Sequence, residues 1–95
     1  LTANNWNVVQ YSVLLHMMAQ VSGLVAGELV HVIADAHIYD RHIPIVEEII
    51  KNERHPAPTF VMNRDVKDFY AFTPDDFRLE NYVCCDKKYD IPVAI

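Results

Sequence analysis

Positive charge is scarce in this sequence. Lys and Arg number 8 against 13 Asp and Glu, a net charge of −5. They form no cluster of the size a nucleic-acid surface needs, which argues against DNA or RNA as a partner. An anionic small substrate stays possible if its countercharges come from elsewhere. Long apolar runs are missing too. The longest, from Val13 onward, is broken by His16, Gln20 and Gly23, short of the roughly 18 residues that span a bilayer, so no membrane partner is expected. No basic segment precedes the first apolar run, and no signal peptide is read. Cysteine is confined to the adjacent pair Cys84 and Cys85. That spacing suits neither a disulfide framework nor a zinc knuckle, and two reduced thiols in a cytoplasmic protein are the expectation. The start also lacks an initiator Met, so Leu1 reads as a cut edge.

Apolar residues are plentiful, at 52% of the 95 residues, a little above the usual soluble range. A chain this short buries a modest share of its surface. Part of the apolar content is therefore expected to meet a partner subunit or a segment outside the chain. There are no internal repeats, low-complexity runs or linkers, and residues 1–95 are read as one piece of a single domain.

The stretch from Trp6 to Leu24 is apolar almost all round, the pattern of a helix buried on most sides. Asn4 or Asn5 is placed to cap it, and Gly23 to end it in the left-handed conformation. From Glu28 to Tyr39 the period changes to two. Val30, Val32, Ala34, Ala36 and Ile38 form an apolar face, expected to meet core. Leu29, His31, Ile33, Asp35, His37 and Tyr39 form the other, which turns polar toward its end. A second helix has Pro44 in its first turn and a stripe of Ile45, Val46, Ile49 and Ile50, with Glu47, Glu48 and Lys51 outside. His55-Pro56-Ala57-Pro58 ends it. A short strand is expected over Thr59 to Met62 and a final one over Arg78 to Cys84. Thr73 to Asp76 reads as a turn or helix start, and Lys87 to Ile95 as a tail.

The densest polar cluster runs from Asp35 to His42. Three readings fit its residues. The polar groups cap the helix that follows. Alternatively, Asp35 and His37 are metal ligands, as Asp and His often are, although the same strand offers no third ligand. Or His37 and Tyr39, about 7 Å apart along an extended chain, offer hydrogen bonds to an organic substrate. Spacing alone does not choose among them.

The order of motifs does carry a resemblance. Asn4-Asn5-Trp6-Asn7-Val8-Val9-Gln10-Tyr11 is followed by His16-Met17-Met18-Ala19-Gln20-Val21-Ser22-Gly23. Then come Gly27 to His31, Asp35-Ala36-His37-Ile38-Tyr39 through His42, Asp65 to Thr73, Asp76-Phe77 and the ending Ile91-Pro92-Val93-Ala94-Ile95. Together these resemble thymidylate synthase over the whole chain. The resemblance implies an α+β fold, with a mixed β-sheet packed against helices, of which this chain is a C-terminal piece. It implies an obligate homodimer that methylates dUMP to dTMP, with methylenetetrahydrofolate as donor of both carbon and hydride and no metal.

The resemblance also implies roles for single residues. Asn7 matches the asparagine that reads the pyrimidine; a carboxamide donates and accepts side by side, as uracil's ring N–H and carbonyl require. The related deoxycytidylate hydroxymethylases carry Asp there, so Asn7 favours uracil. Taken alone, Asn7 reads first as a helix-capping residue. His37 and Tyr39 match the pair that binds the deoxyribose 3′-hydroxyl. Trp6 lies near nucleotide and folate by the match, or is a core aromatic by composition. Val93, Ala94 and Ile95 match a tail that closes over the folate, although terminal residues commonly fray. For Asp35 a structural hydrogen bond is expected. The family's nucleophilic cysteine, general-base glutamate and most phosphate-binding arginines precede the Asn7 match, so no catalytic residue is expected within this chain, and Cys84 and Cys85 are not the nucleophile. The readings beside this one are a hydroxymethylase of the same fold and a non-catalytic excised domain.

Overall fold

The computed structural model of the chain describes residues 1–93. It is α+β. Helix α1 spans Ala3–Val21. A short 3-10 turn, Asp40–His42, runs directly into helix α2, Ile43–Ile49. Strands β1 (Thr59–Met62) and β2 (Phe77–Glu80) pair antiparallel, with Thr59 opposite Glu80 and Met62 opposite Phe77. Two 3-10 turns, Phe69–Ala71 and Pro74–Asp76, lie between the strands.

Local chemistry explains the ends of these elements. Pro44 sits in the first turn of α2, where its missing N–H has no helical partner to lose. Gly23 takes φ +68° just past α1, a conformation that disfavours a side chain. Asp68 caps the turn after it by accepting the Tyr70 N–H at 3.0 Å. At the head of β2, the Asp76 carboxylate accepts the Thr73 N–H at 2.8 Å and the Asn63 Nδ2–H at 2.8 Å. These bonds hold the Asp76 carboxyl below its ordinary value of 3.8, the Thr73 backbone bond contributing most.

The hairpin packs on α1 through a few named contacts. Gln20 donates Nε2–H to the carbonyls of Asn63 and Val66, at 2.9 and 2.8 Å. His16 lies against the Phe60 ring at 5.0 Å, and Phe77 stacks with both Phe60 and Phe72.

Four expectations need correcting. Asn4 and Asn5 do not cap α1, because the helix starts at Ala3 and both lie inside its first turn. The side-chain Oδ1 of Asn4 instead meets His31 Nε2 at 3.0 Å. Residues 28–39 form no strand, since a strand needs a ladder and, among the described residues, the only backbone hydrogen bond to this segment is the local one from the His42 N–H to the Tyr39 carbonyl. Its apolar face is exposed rather than turned to core; Val30 and Val32 are 79% and 82% accessible. The last strand is shorter than Arg78–Cys84, because pairing stops opposite Thr59 and Asn81 turns away with φ 58°.

Helix α1 is likewise not buried on most sides: none of its residues is buried. Among the described residues, Met62 is the only buried apolar side chain. The accessible surface is 8159 Å², where a folded monomer of this mass exposes about 5,600 Å². The radius of gyration is 16.6 Å, against about 13 Å for a compact chain of such length. The apolar residues are present in the numbers a core needs, yet most of the large ones among the described residues stay at the surface. Among the described residues, no helix is long and apolar enough to cross a membrane.

Candidate functional site

The start of α1 and the segment after Ile33 enclose a cleft of about 380 Å³, lined by Leu1, Ala3, Asn4, Asn7, Ile33 and residues 35–38. Its volume lies in the range of small-molecule sites. The Asn4–His31 bond fastens the two walls together, joining residues 27 positions apart in sequence.

Asn7 stands one turn into α1, on the cleft wall. Its Nδ2 donates to the Ala3 carbonyl at 3.0 Å, the residue one helical turn back. That bond orients the amide and occupies one of its two N–H groups. One N–H and the side-chain oxygen carry no partner among the described residues, so a donor and an acceptor stay available side by side.

His37 lies on the facing wall. Its Nδ1 sits 3.2 Å from the Asp35 carbonyl oxygen and 3.5 Å from the Asp35 carboxylate. Both oxygens only accept, so Nδ1 carries the hydrogen. In the neutral ring Nε2 is then an acceptor, suited to a hydroxyl. The closer contact is with the Asp35 backbone rather than its side chain, which is 93% exposed.

Tyr39 is not part of the cleft lining. Its ring meets His37 edge to face with centroids 5.3 Å apart, and it is half exposed. The structure therefore brings Asn7 and His37 to one cavity and joins Tyr39 to it through the His37 ring. Trp6 is 77% exposed, which rules out the core-aromatic reading within this chain, and it does not line the cleft. Val93 is exposed, while Ala94 and Ile95 lie outside the described residues. Among the described residues, no group of three or more His, Cys, Asp or Glu is placed to hold a metal.

His42 is the residue the sequence reading left without a role. It is only 5% exposed, the one buried polar side chain among the described residues. Its ring faces Tyr39 at 5.4 Å. A polar residue inside an apolar-to-polar run of this length carries no periodic signal that marks it as buried.

With this geometry in hand, comparison with known proteins identifies the chain. The family model described as thymidylate synthase matches residues 1–95. Thymidylate synthase 1 of Bacillus amyloliquefaciens is 46% identical over 91 residues, which is 95% of this chain and 40% of that protein. Thymidylate synthase 1 of Bacillus subtilis strain 168 is 48% identical over 84 residues, 88% of this chain and 30% of the relative. Among solved structures, thermostable thymidylate synthase A from Bacillus subtilis matches with a TM-score of 0.89 and 45% identity, over 94% of this chain and 32% of its own. The chain thus spans 30 to 40% of the length of these curated relatives, and on a match that covers it from first residue to last it belongs to the thymidylate synthase family.

Proposed function

We propose that this chain is the C-terminal part of a thymidylate synthase subunit, and that the full-length protein converts dUMP to dTMP. The observation that carries the reading is the cleft shared by Asn7 and His37. It pairs an amide with one free donor and one free acceptor against an imidazole whose Nε2 accepts. Those are the complements of a uracil edge and a sugar hydroxyl. Asn7 reads the ring, and His37 with Tyr39 holds the deoxyribose 3′-hydroxyl. Polar groups that pair with that hydroxyl would favour a substrate carrying it over one lacking it.

Methylenetetrahydrofolate, when bound, supplies both the one-carbon unit and the hydride, leaving as dihydrofolate. Trp6 and the tail residues Val93, Ala94 and Ile95 flank it and exclude water. The nucleophile, the general base and most phosphate contacts come from the part of the relatives that this chain does not span, so the 95 residues alone bind without turning over. The exposed apolar surface of α1 and of residues 28–39 supports burial against that part and against a second subunit, in a homodimer. Cys84 and Cys85, both free and exposed, suit a reducing cytoplasm.

The test is turnover by the full-length protein. Incubated with dUMP and methylenetetrahydrofolate, it should release the ring hydrogen of labelled dUMP and form dihydrofolate in equal amounts. Hydroxymethylated product without dihydrofolate would make it a hydroxymethylase, and no release from either pyrimidine nucleotide would make it a non-catalytic relative.

A further inference from the structure

His42 holds a contradiction that apolar packing would avoid. An imidazole buried to this degree costs stability for each polar atom without a partner, and His42 Nδ1 has none. A phenylalanine would fill the space with no orphan atom. What the histidine alone provides is its other nitrogen. Nε2 lies 2.8 Å from the carbonyl oxygen of Pro92, fifty residues further along. A carbonyl only accepts, so Nε2 donates.

Two further contacts fasten the same terminal strap to α2 and to the turn after it. Lys87 pairs with Glu48, and Asn52 donates Nδ2–H to the Tyr89 hydroxyl at 2.9 Å. The strap therefore crosses α2 from its C-terminal end to its start, and His42 is the last tie before Val93. Pro92 is suited to that place, since its ring restricts φ and leaves the strap fewer conformations to lose when it is held. On its other side the His42 ring abuts Tyr39, which abuts His37.

We propose that His42 is a positioning residue that latches the terminal strap to the sugar-binding wall. Through it, the placement of His37 and Tyr39 and the placement of residues 92 and 93 are one mechanical unit. The functional consequence rests on the reading of His37, Tyr39 and the tail given above; the latch itself does not.

The experiment uses the full-length protein and separates the two. In the wild type, long-range nitrogen–proton NMR of His42 should find the hydrogen on Nε2; finding it on Nδ1 would overturn the latch without any variant. Hydrogen exchange of the peptide covering residues 86–95 then tests the strap. His42→Phe keeps the ring and removes the donor, and should speed exchange about fivefold, the factor one net hydrogen bond carries. His42→Gln restores a donor and should return exchange to within about twofold. Exchange unchanged in the Phe variant, or as fast in the Gln variant, would overturn the proposal. In turnover, His42→Phe should lower kcat about tenfold while the dissociation constant for dUMP stays within about threefold, since a strap acts after the nucleotide binds; equal losses in both would overturn the positioning role. A wild type that turns over no dUMP would sink the functional reading and leave the NMR and exchange results standing.

Discussion

The rings of His37 and Tyr39 meet edge to face, with centroids 5.3 Å apart and planes at 65°. Edge-to-face contact sets the positive rim of one ring against the negative face of the other, which holds the pair at an angle. The Asp35 carbonyl fixes the His37 ring from the opposite side. The imidazole is therefore clamped between its own backbone two residues back and the phenol two residues on. A second contact of the same kind passes from Tyr39 to the buried His42. One row of rings leads from the cleft to the interior.

Asn7→Asp in the full-length protein should shift preference from dUMP toward the cytosine nucleotide. A carboxylate only accepts, which suits an exocyclic amine and repels a carbonyl oxygen. Competition between the two nucleotides at equal concentration measures it; unaltered selectivity would take the ring-reading role away from Asn7.

His37→Ala combined with Tyr39→Phe should weaken dUMP binding by about 1–3 kcal/mol, the range for lost polar partners. The control is the nucleotide that lacks a 3′-hydroxyl, whose affinity should hardly change. Calorimetry on both ligands checks the pair, and normal affinity for dUMP would defeat the sugar-contact assignment.

Asp76→Asn should lower the melting temperature at pH 7, with a gap that closes in acid. The carboxyl is held below 3.8 by the Thr73 N–H and the Asn63 amide. A group whose folded value is depressed adds stability above its unfolded value and loses it as pH falls through the folded one. The difference between wild type and variant should thus be full above about pH 5 and vanish well below 3.8. A gap constant down to pH 2 would mean that the charge of Asp76 contributes nothing.

The 95-residue chain expressed alone should self-associate. Trp6, Val9 and Met18 on α1 and Val30 and Val32 beyond it are exposed together, and apolar surface on that scale marks an interface or aggregates. Light scattering after gel filtration checks this. A stable monomer at micromolar concentration would show that these faces need no cover.

Several elements were legible in the order of residues because their signals are local. Pro44 at the start of α2, the left-handed Gly23 and the Thr59–Met62 strand depend on torsion preferences and neighbours a few positions away, and all three appear as expected. The alternation over residues 28–39 was equally clear, yet no strand forms there. Alternation states which side chains share a face, whereas a strand exists only when another backbone accepts its hydrogen bonds. The uniform apolar character of α1 named a buried helix in the same way, without saying what buries it.

What the sequence determined by itself is therefore a set of local turns, the start of α2 and the family to which the motifs belong. The meeting of Asn7 with His37 across one cleft, the Asn4–His31 tie that closes it, and the reach of His42 to Pro92 were decided only by tertiary structure. Each joins residues between 27 and 50 positions apart, and no torsional preference or periodic pattern acts over such distances. Only the packing of the folded chain does.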